Sequence, residues 1–192
     1  MRLKIKIILF SFLLFNFVLI GENFFQFRLA NLENKTVLFS DFRSKKATVI
    51  IFLLSDCPAS QSYTLTLNKL AKKYINSRIA FVGVFPGYYS TDDELQKFKQ
   101  QYKISFPLLK DPEMILAKKL DAKIGPSCFL FNEKGNVVYK GRIDDWLYAV
   151  GKKRQVIKEN NLDDALKSLI NNKPIIITET NPIGCILEYD KN

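Results

Sequence analysis

The chain has 192 residues, 47% of them hydrophobic, and sets 29 Lys and Arg against 19 Asp and Glu for a formal net charge of +10. That is apolar material for one sizeable core, most simply in a single domain. Histidine is absent, which excludes Ser-His-Asp and Cys-His catalysis, His-ligated zinc or copper, and haem held by a proximal histidine.

The first segment carries three of the cations, Arg2, Lys4 and Lys6, ahead of an apolar run over 7–20 broken only by Ser11 and Asn16. A basic stretch before an apolar block too short for an ordinary spanning helix is the layout of a secretory signal. No small-x-small triplet precedes Glu22, so residues 1–21 read either as a cleaved signal peptide or as an N-terminal anchor. Both place the domain outside the cytoplasm, in the periplasm or secreted, and the anchor would be its only membrane contact. Without that segment 26 basic residues stand against the same 19 acids, a net of +7.

Residues 27–30 and 36–39 flank a turn and predict a hairpin. Residues 48–54, TVIIFLL, are uncharged, β-branched at the start and too few to span a membrane, so they predict a strand buried on both faces. Ser55 and Asp56 end it. Cys57 follows at a turn, and Pro58 suits the first position of a helix. Tyr63, Leu67, Leu70, Ala71 and Tyr74 then recur at helical spacing. A strand thus delivers a cysteine to a helix N-terminus, where unpaired amide N–H groups and the helix dipole favour the thiolate. Only the thiolate attacks, and lowering a thiol from about 8.5 to about 7 takes it from a few per cent to half ionised at neutral pH. Asp56 would oppose this if its carboxylate faced the sulfur. The alternative is a small apolar residue packed inertly at the top of a strand.

Residues 79–85 predict a second buried strand. A helix follows from Thr91, whose hydroxyl can cap while Glu94 reaches back, with Leu95, Phe98 and Tyr102 as its buried stripe. Residues 106–109 predict a short strand. Asp111-Pro112-Glu113 predicts a helix with Asp as cap and Pro at its first position. After Gly125-Pro126-Ser127, residues 128–131 and 137–139 predict a hairpin across a turn at Gly135. Less regular chain leads to a last helix over 162–171 and an extended, flexible-looking tail from Pro174 that contains Gly184-Cys185. Lys152, Lys153 and Arg154 form a tight basic run without the aromatic interleaving of nucleic-acid readers; it reads as a solvated face, and no nucleic-acid partner is expected.

Strands alternating with helices and closing in a hairpin and a terminal helix predict an α/β domain over 22–173. Its central, mostly parallel sheet has helices on both faces, and 174–192 form the tail. Sites in such sheets gather at the carboxyl ends of strands, where Cys57 lies. Three cysteines, Cys57, Cys128 and Cys185, in an exported chain allow one disulfide and one leftover thiol. There is no CxxC pair, so neither a metal site nor a cofactor is expected.

The stretches LANLENKTVLFSDFRSKKATVIIFLLSDCPASQSY, Gly125-Pro126-Ser127 before CFLFNEKGNVVYKGRIDD, and TNPIGCI near the end resemble the redoxin group of the thioredoxin-like superfamily. These are exported proteins related to thiol-specific antioxidant and alkyl hydroperoxide reductase enzymes. The resemblance implies a thioredoxin-like fold, with Cys57 as the nucleophile and Pro126 as the cis-proline that faces it and presents its backbone for substrate pairing. Two features depart from the pattern. Ser60 stands where a thioredoxin dithiol has its second cysteine, so CPAS cannot close its own disulfide. Ile50 and Leu54 stand where family peroxidases have the proline and the peroxide-holding Thr or Ser, and their late arginine has no counterpart beside Ser127 and Cys128.

A lone nucleophile needs a second thiol to resolve its mixed disulfide. Cys185 is the candidate within the chain, as resolving residue or as structural disulfide partner; Cys128, at the start of a core strand, is expected to be a buried thiol. Arg142, in GRIDD, reads either as a surface ion pair with an Asp or as a cation that lowers the Cys57 pKa. The expected activity is thiol–disulfide exchange or peroxiredoxin-like antioxidant chemistry. It would take a thiol or disulfide protein or a peroxide as substrate and an external reductant as partner. The alternative is a catalytically degenerate binding or assembly module.

Overall fold

The computed structural model describes residues 24–189; the predicted signal or anchor over 1–21 lies outside them. No helix among the described residues is long and apolar enough to cross a membrane.

The organising strand is β3 (Ala47–Phe52), buried along its whole length, as its uncharged sequence requires. It pairs in parallel with β4 (Ile79–Pro86), which pairs in parallel with β5 (Leu108–Asp111). On its other side β3 meets β7 (Ser127–Asn132) antiparallel, and β7 folds back onto β8 (Val137–Gly141). The predicted N-terminal hairpin, β1 (Arg28–Asn31) and β2 (Thr36–Leu38), adds to the far edge through β1 against β5, giving the order β2-β1-β5-β4-β3-β7-β8. The parallel part is therefore the central three strands, and the four outer pairings are antiparallel. Hairpins close the sheet at both edges, so no crossover helix is needed there.

Alternate residues of β3 feed two cores, since successive side chains of a strand point to opposite faces. Val49 and Ile51 pack with helix α1 (Pro58–Lys73) through Tyr63, Leu67 and Leu70. Helices α2 (Asp92–Gln101) and α4 (Asn161–Ile170) join that side through Leu95, Phe98, Leu162 and Leu166. Ile50 and Phe52 pack on the other side with Phe39 and with Leu116 and Ala117 of α3 (Ile115–Leu120).

Local chemistry explains where elements start. Thr91 and Glu94 form the expected reciprocal cap of α2. Helix α3 begins three residues later than Asp111-Pro112-Glu113 predicts. Asp111 still caps, but from a distance: its buried carboxylate accepts the Ile115 and Ala117 amides at 2.8 and 2.9 Å while Pro112 sits in the intervening turn. The strand expected over 106–109 is β5, shifted by two residues because its partners on β4 are Gly83 to Pro86.

The tail is docked rather than loose. Lys140 of β8 exchanges backbone hydrogen bonds with Thr178 and Thr180, each 3.0 Å, and Thr180 Oγ1 accepts the Arg142 amide. Gly141 has φ +134, and a Cβ there would run into the Thr180 carbonyl, so glycine is what lets the tail lie against the edge strand. Farther on, the short strand β11 (Cys185–Ile186) pairs antiparallel with β6 (Ile124–Gly125), and Leu187 is buried. A small hairpin, β9 (Leu147–Ala149) with β10 (Lys152–Lys153), occupies the segment read as irregular.

Candidate redox site

The chain leaves β3 through Leu53 and Leu54, turns, and enters α1 at Pro58 with Cys57 as its N-cap residue. The Cys57 amide donates to Leu54 O at 3.2 Å and its carbonyl accepts the Gln61 amide at 3.0 Å. Ser60, the residue in place of a second cysteine, is fully buried, and its hydroxyl accepts the Leu54 amide at 3.2 Å. It satisfies a backbone donor that the end of the strand would otherwise leave orphaned.

Cys57 is bonded to Cys185, with their Cα atoms 6.0 Å apart and a sequence separation of 128. The bond crosses the β6–β11 ladder, in which Cys185 stands opposite Gly125. The Gly125-Pro126 peptide is cis, and Gly125 O lies 3.4 Å from Cys57 Sγ. A disulfide sulfur carries no proton, so this is a contact and not a donated hydrogen bond. At Gly184 a Cβ would strike the Gly125 carbonyl, which explains the glycine before the cysteine. Cys57, Gly125, Pro126 and Cys185, remote in sequence, thus share one place at the carboxyl end of β3.

The two sulfurs differ in access. Cys57 is 2% exposed, whereas Cys185 is half-buried and flanked by exposed Ile186 and Glu188. A cavity of 230 Å³ opens beside the bond, lined by Leu54, Asp56, Tyr89 and Glu188 together with both cysteines and Ile186. The Tyr89 hydroxyl donates to the Glu188 carbonyl, which pins the tail next to the bond. Asp56 and Pro58 are exposed.

The remaining expected residues lie elsewhere. Cys128 is the free thiol, wholly buried, with its sulfur 3.4 Å from Gly141 O. Burial, and secondarily the Asp144 carboxylate, pushes its pKa far above the ordinary thiol value. The direct partners of Arg142 are Asn161 and Glu159: its Nε donates to Asn161 at 2.8 Å and its NH2 pairs with Glu159 at 2.7 Å. The aspartates of GRIDD are structural acceptors. Asp144 takes hydrogen bonds from the Tyr63 hydroxyl at 2.7 Å and the Trp146 amide at 2.9 Å. Asp145 takes the Lys158 and Glu159 amides at 2.8 and 3.0 Å. Burial is the main cause that raises the Asp144 carboxyl, and burial with the hydrogen bond to Asp144 raises Tyr63 strongly. Ile50 is fully buried and Leu54 nearly so, and neither carries a hydroxyl to hold a peroxide.

The family model described as AhpC/TSA matches residues 20–140. The chain belongs to the AhpC/TSA family. Its fold is shared with a hypothetical protein of Sinorhizobium meliloti 1021, at TM-score 0.78 and 23% identity over 86% of this chain and 92% of that one. An uncharacterized conserved protein of Geobacillus kaustophilus matches at TM-score 0.76 and 24% identity, over 86% and 89%. A secreted disulfide oxidoreductase of Mycobacterium tuberculosis matches at TM-score 0.56 and 15% identity, over 79% and 98%. At these identities the likeness is one of fold. No curated protein matches the chain. Family and fold together make this an AhpC/TSA-family chain of thioredoxin-like architecture with a Cys57–Cys185 disulfide.

Sequence reasoning missed the ladder that carries the bond. The signal was the alternation of Cys185 and Leu187, which pack on the same core, after Gly184, which permits close approach. Nothing in that stretch names β6 as its partner.

Proposed function

We propose that this AhpC/TSA-family chain is an extracytoplasmic thiol–disulfide oxidoreductase that cycles through the Cys57–Cys185 bond. The observation that carries the reading is a cysteine at a strand-to-helix junction, bonded to a second cysteine beside a cis Gly-Pro peptide. The basic-apolar segment over 1–21 supports a location outside the cytoplasm.

In the oxidised protein a donor thiolate attacks along the S–S axis, and the side facing solvent is that of Cys185. The donor sulfur bonds to Cys185, the Cys57–Cys185 bond breaks, and its electron pair leaves on Cys57, where the helix N-terminus stabilises the thiolate. A second donor thiolate then attacks the donor's own sulfur in the mixed disulfide and frees Cys185. In the opposite half-cycle the Cys57 thiolate attacks a substrate disulfide and expels one substrate thiolate. Cys185 next attacks Cys57, expels the other, and restores the internal bond. Each turn moves two electrons from a dithiol to a disulfide. Buried Ile50 and Leu54, in place of a proline and a hydroxyl, favour disulfides over peroxides as oxidants.

A binding module with a structural disulfide is the second reading, favoured by the buried Leu187 and the Tyr89–Glu188 contact that hold the tail. Brief exposure of the oxidised chain to glutathione, an acid quench, alkylation and peptide mass mapping separates the two. Exchange predicts glutathione on Cys185 with Cys57 alkylated, abolished in Cys57→Ser. A disulfide inert to millimolar thiol while the protein stays folded would overturn the redox reading.

A further inference from the structure

The β9–β10 hairpin carries a surface that the redox reading leaves unused. Between Asp145 and Glu159 the chain has no acidic residue and has four cations, Lys152, Lys153, Arg154 and Lys158. In the same stretch Tyr148, Val150, Val156 and Ile157 are 51%, 79%, 70% and 36% exposed. Large apolar side chains are ordinarily exposed singly, and four within ten residues beside a block of cations is a patch with a purpose. At the tip, Gly151 has φ +72 and nothing within 4 Å of where a Cβ would stand, and Val150 and Lys152 on either side are exposed, so the tip of the turn faces solvent.

The charges are arranged to face outward. Asp145 neutralises Arg154 at the base of the hairpin, and Glu159 is taken by Arg142. Among the described residues no ion pair engages Lys152, Lys153 or Lys158. Lys153 sits 4.6 Å over the Trp146 ring and donates to Ser62 of α1, which fixes the hairpin against the helix that begins at Cys57.

From this juxtaposition of exposed apolar residues and cations that no acid neutralises, on the hairpin and the segment that follows it, we propose that the β9–β10 hairpin docks on the surface of an anionic lipid bilayer. Tyr148 and Val150 enter the headgroup boundary, and Lys152, Lys153 and Lys158 meet lipid phosphates. An amphipathic ring such as Tyr148 suits that boundary, and apolar area plus cations is the combination that holds proteins on anionic membranes. An acidic polypeptide would satisfy the cations but leave Val150 and Val156 without a partner. This membrane contact is separate from residues 1–21 and from the exchange chemistry.

The chain carries its own reporter, because Trp146 at the base of the hairpin is its single tryptophan. The full chain is titrated with vesicles of phosphatidylcholine alone and of phosphatidylcholine mixed with phosphatidylglycerol, and Trp146 emission is followed, with brominated acyl chains as quenchers. Docking predicts a change specific to the anionic vesicles. Near an anionic surface each cation is worth about fivefold in affinity, so Lys152→Glu with Lys158→Glu lowers the anionic-dependent binding at least ~25-fold. Val150→Asp removes the quenching by brominated chains. Both substitutions are on exposed side chains, and closure of the Cys57–Cys185 bond in each variant checks the fold. Emission that ignores phosphatidylglycerol, or that the variants leave unchanged, overturns the proposal. Binding to poly-glutamate but not to anionic vesicles overturns it as well, in favour of an acidic protein partner.

Discussion

Replacing Cys185 by Ser removes a cross-link that spans a sequence separation of 128. On the chain-entropy model a cross-link of that length removes about 16–17 cal/mol/K from the unfolded chain, or about 5 kcal/mol at 25 °C. For a domain of this size that is a fall of about 10–20 °C in Tm. The substitution alters neither Leu187 nor the backbone groups that pair 185–186 with 124–125, so the loss is expected to report the covalent term. Urea unfolding of the oxidised chain, Cys185→Ser, Cys57→Ser and the double variant measures it; both single variants and the double should fall by the same amount, since each breaks the same bond. Thermodynamic linkage supplies a second measurement of the same quantity. If the bond stabilises the fold by ~5 kcal/mol, the fold stabilises the bond equally, and the reduction potential is about 100 mV more negative in the folded than in the unfolded chain. Glutathione titrations with and without urea read that difference. An oxidised chain no more stable than Cys185→Ser, or two potentials that coincide, would refute the reasoning.

Two further substitutions test parts of the scaffold that place the site. Ser60→Ala leaves the buried Leu54 amide without its 3.2 Å acceptor and should cost about 1–3 kcal/mol in urea unfolding; a change near zero would mean that another group takes the hydrogen bond. Asp144→Asn keeps an oxygen for the Tyr63 hydroxyl and the Trp146 amide while removing a carboxyl whose pKa burial has raised. In the wild type the unfolded chain releases that proton first, so this group's contribution is full at low pH and is lost as pH rises through the raised native pKa. The stability of Asp144→Asn relative to wild type should therefore increase with pH, by about 1.4 kcal/mol for each unit of displacement; unfolding curves from the acid range to neutrality check it, and a difference independent of pH would rule out a buried carboxylate cost.

Local physics is enough to account for part of this protein. Seven uncharged residues led by β-branched side chains predict a strand covered on both faces, and a cysteine followed by proline at its end predicts a turn into a helix, so the Cys57 junction was legible from 48–63. The Thr91–Glu94 cap was legible for the same reason, because capping is settled within four residues. The pairings between distant segments, by contrast, come from the packed fold. Alternation in NPIGCIL fits many sheet edges equally, and only the edge at Ile124–Gly125, open beside a cis-proline, brings Cys185 within bonding reach of Cys57. Arg142 likewise follows the path of the chain after β8, which carries its guanidinium to Glu159 and Asn161. Local propensity acts within a turn or two of chain; which remote groups meet depends on how the two cores pack.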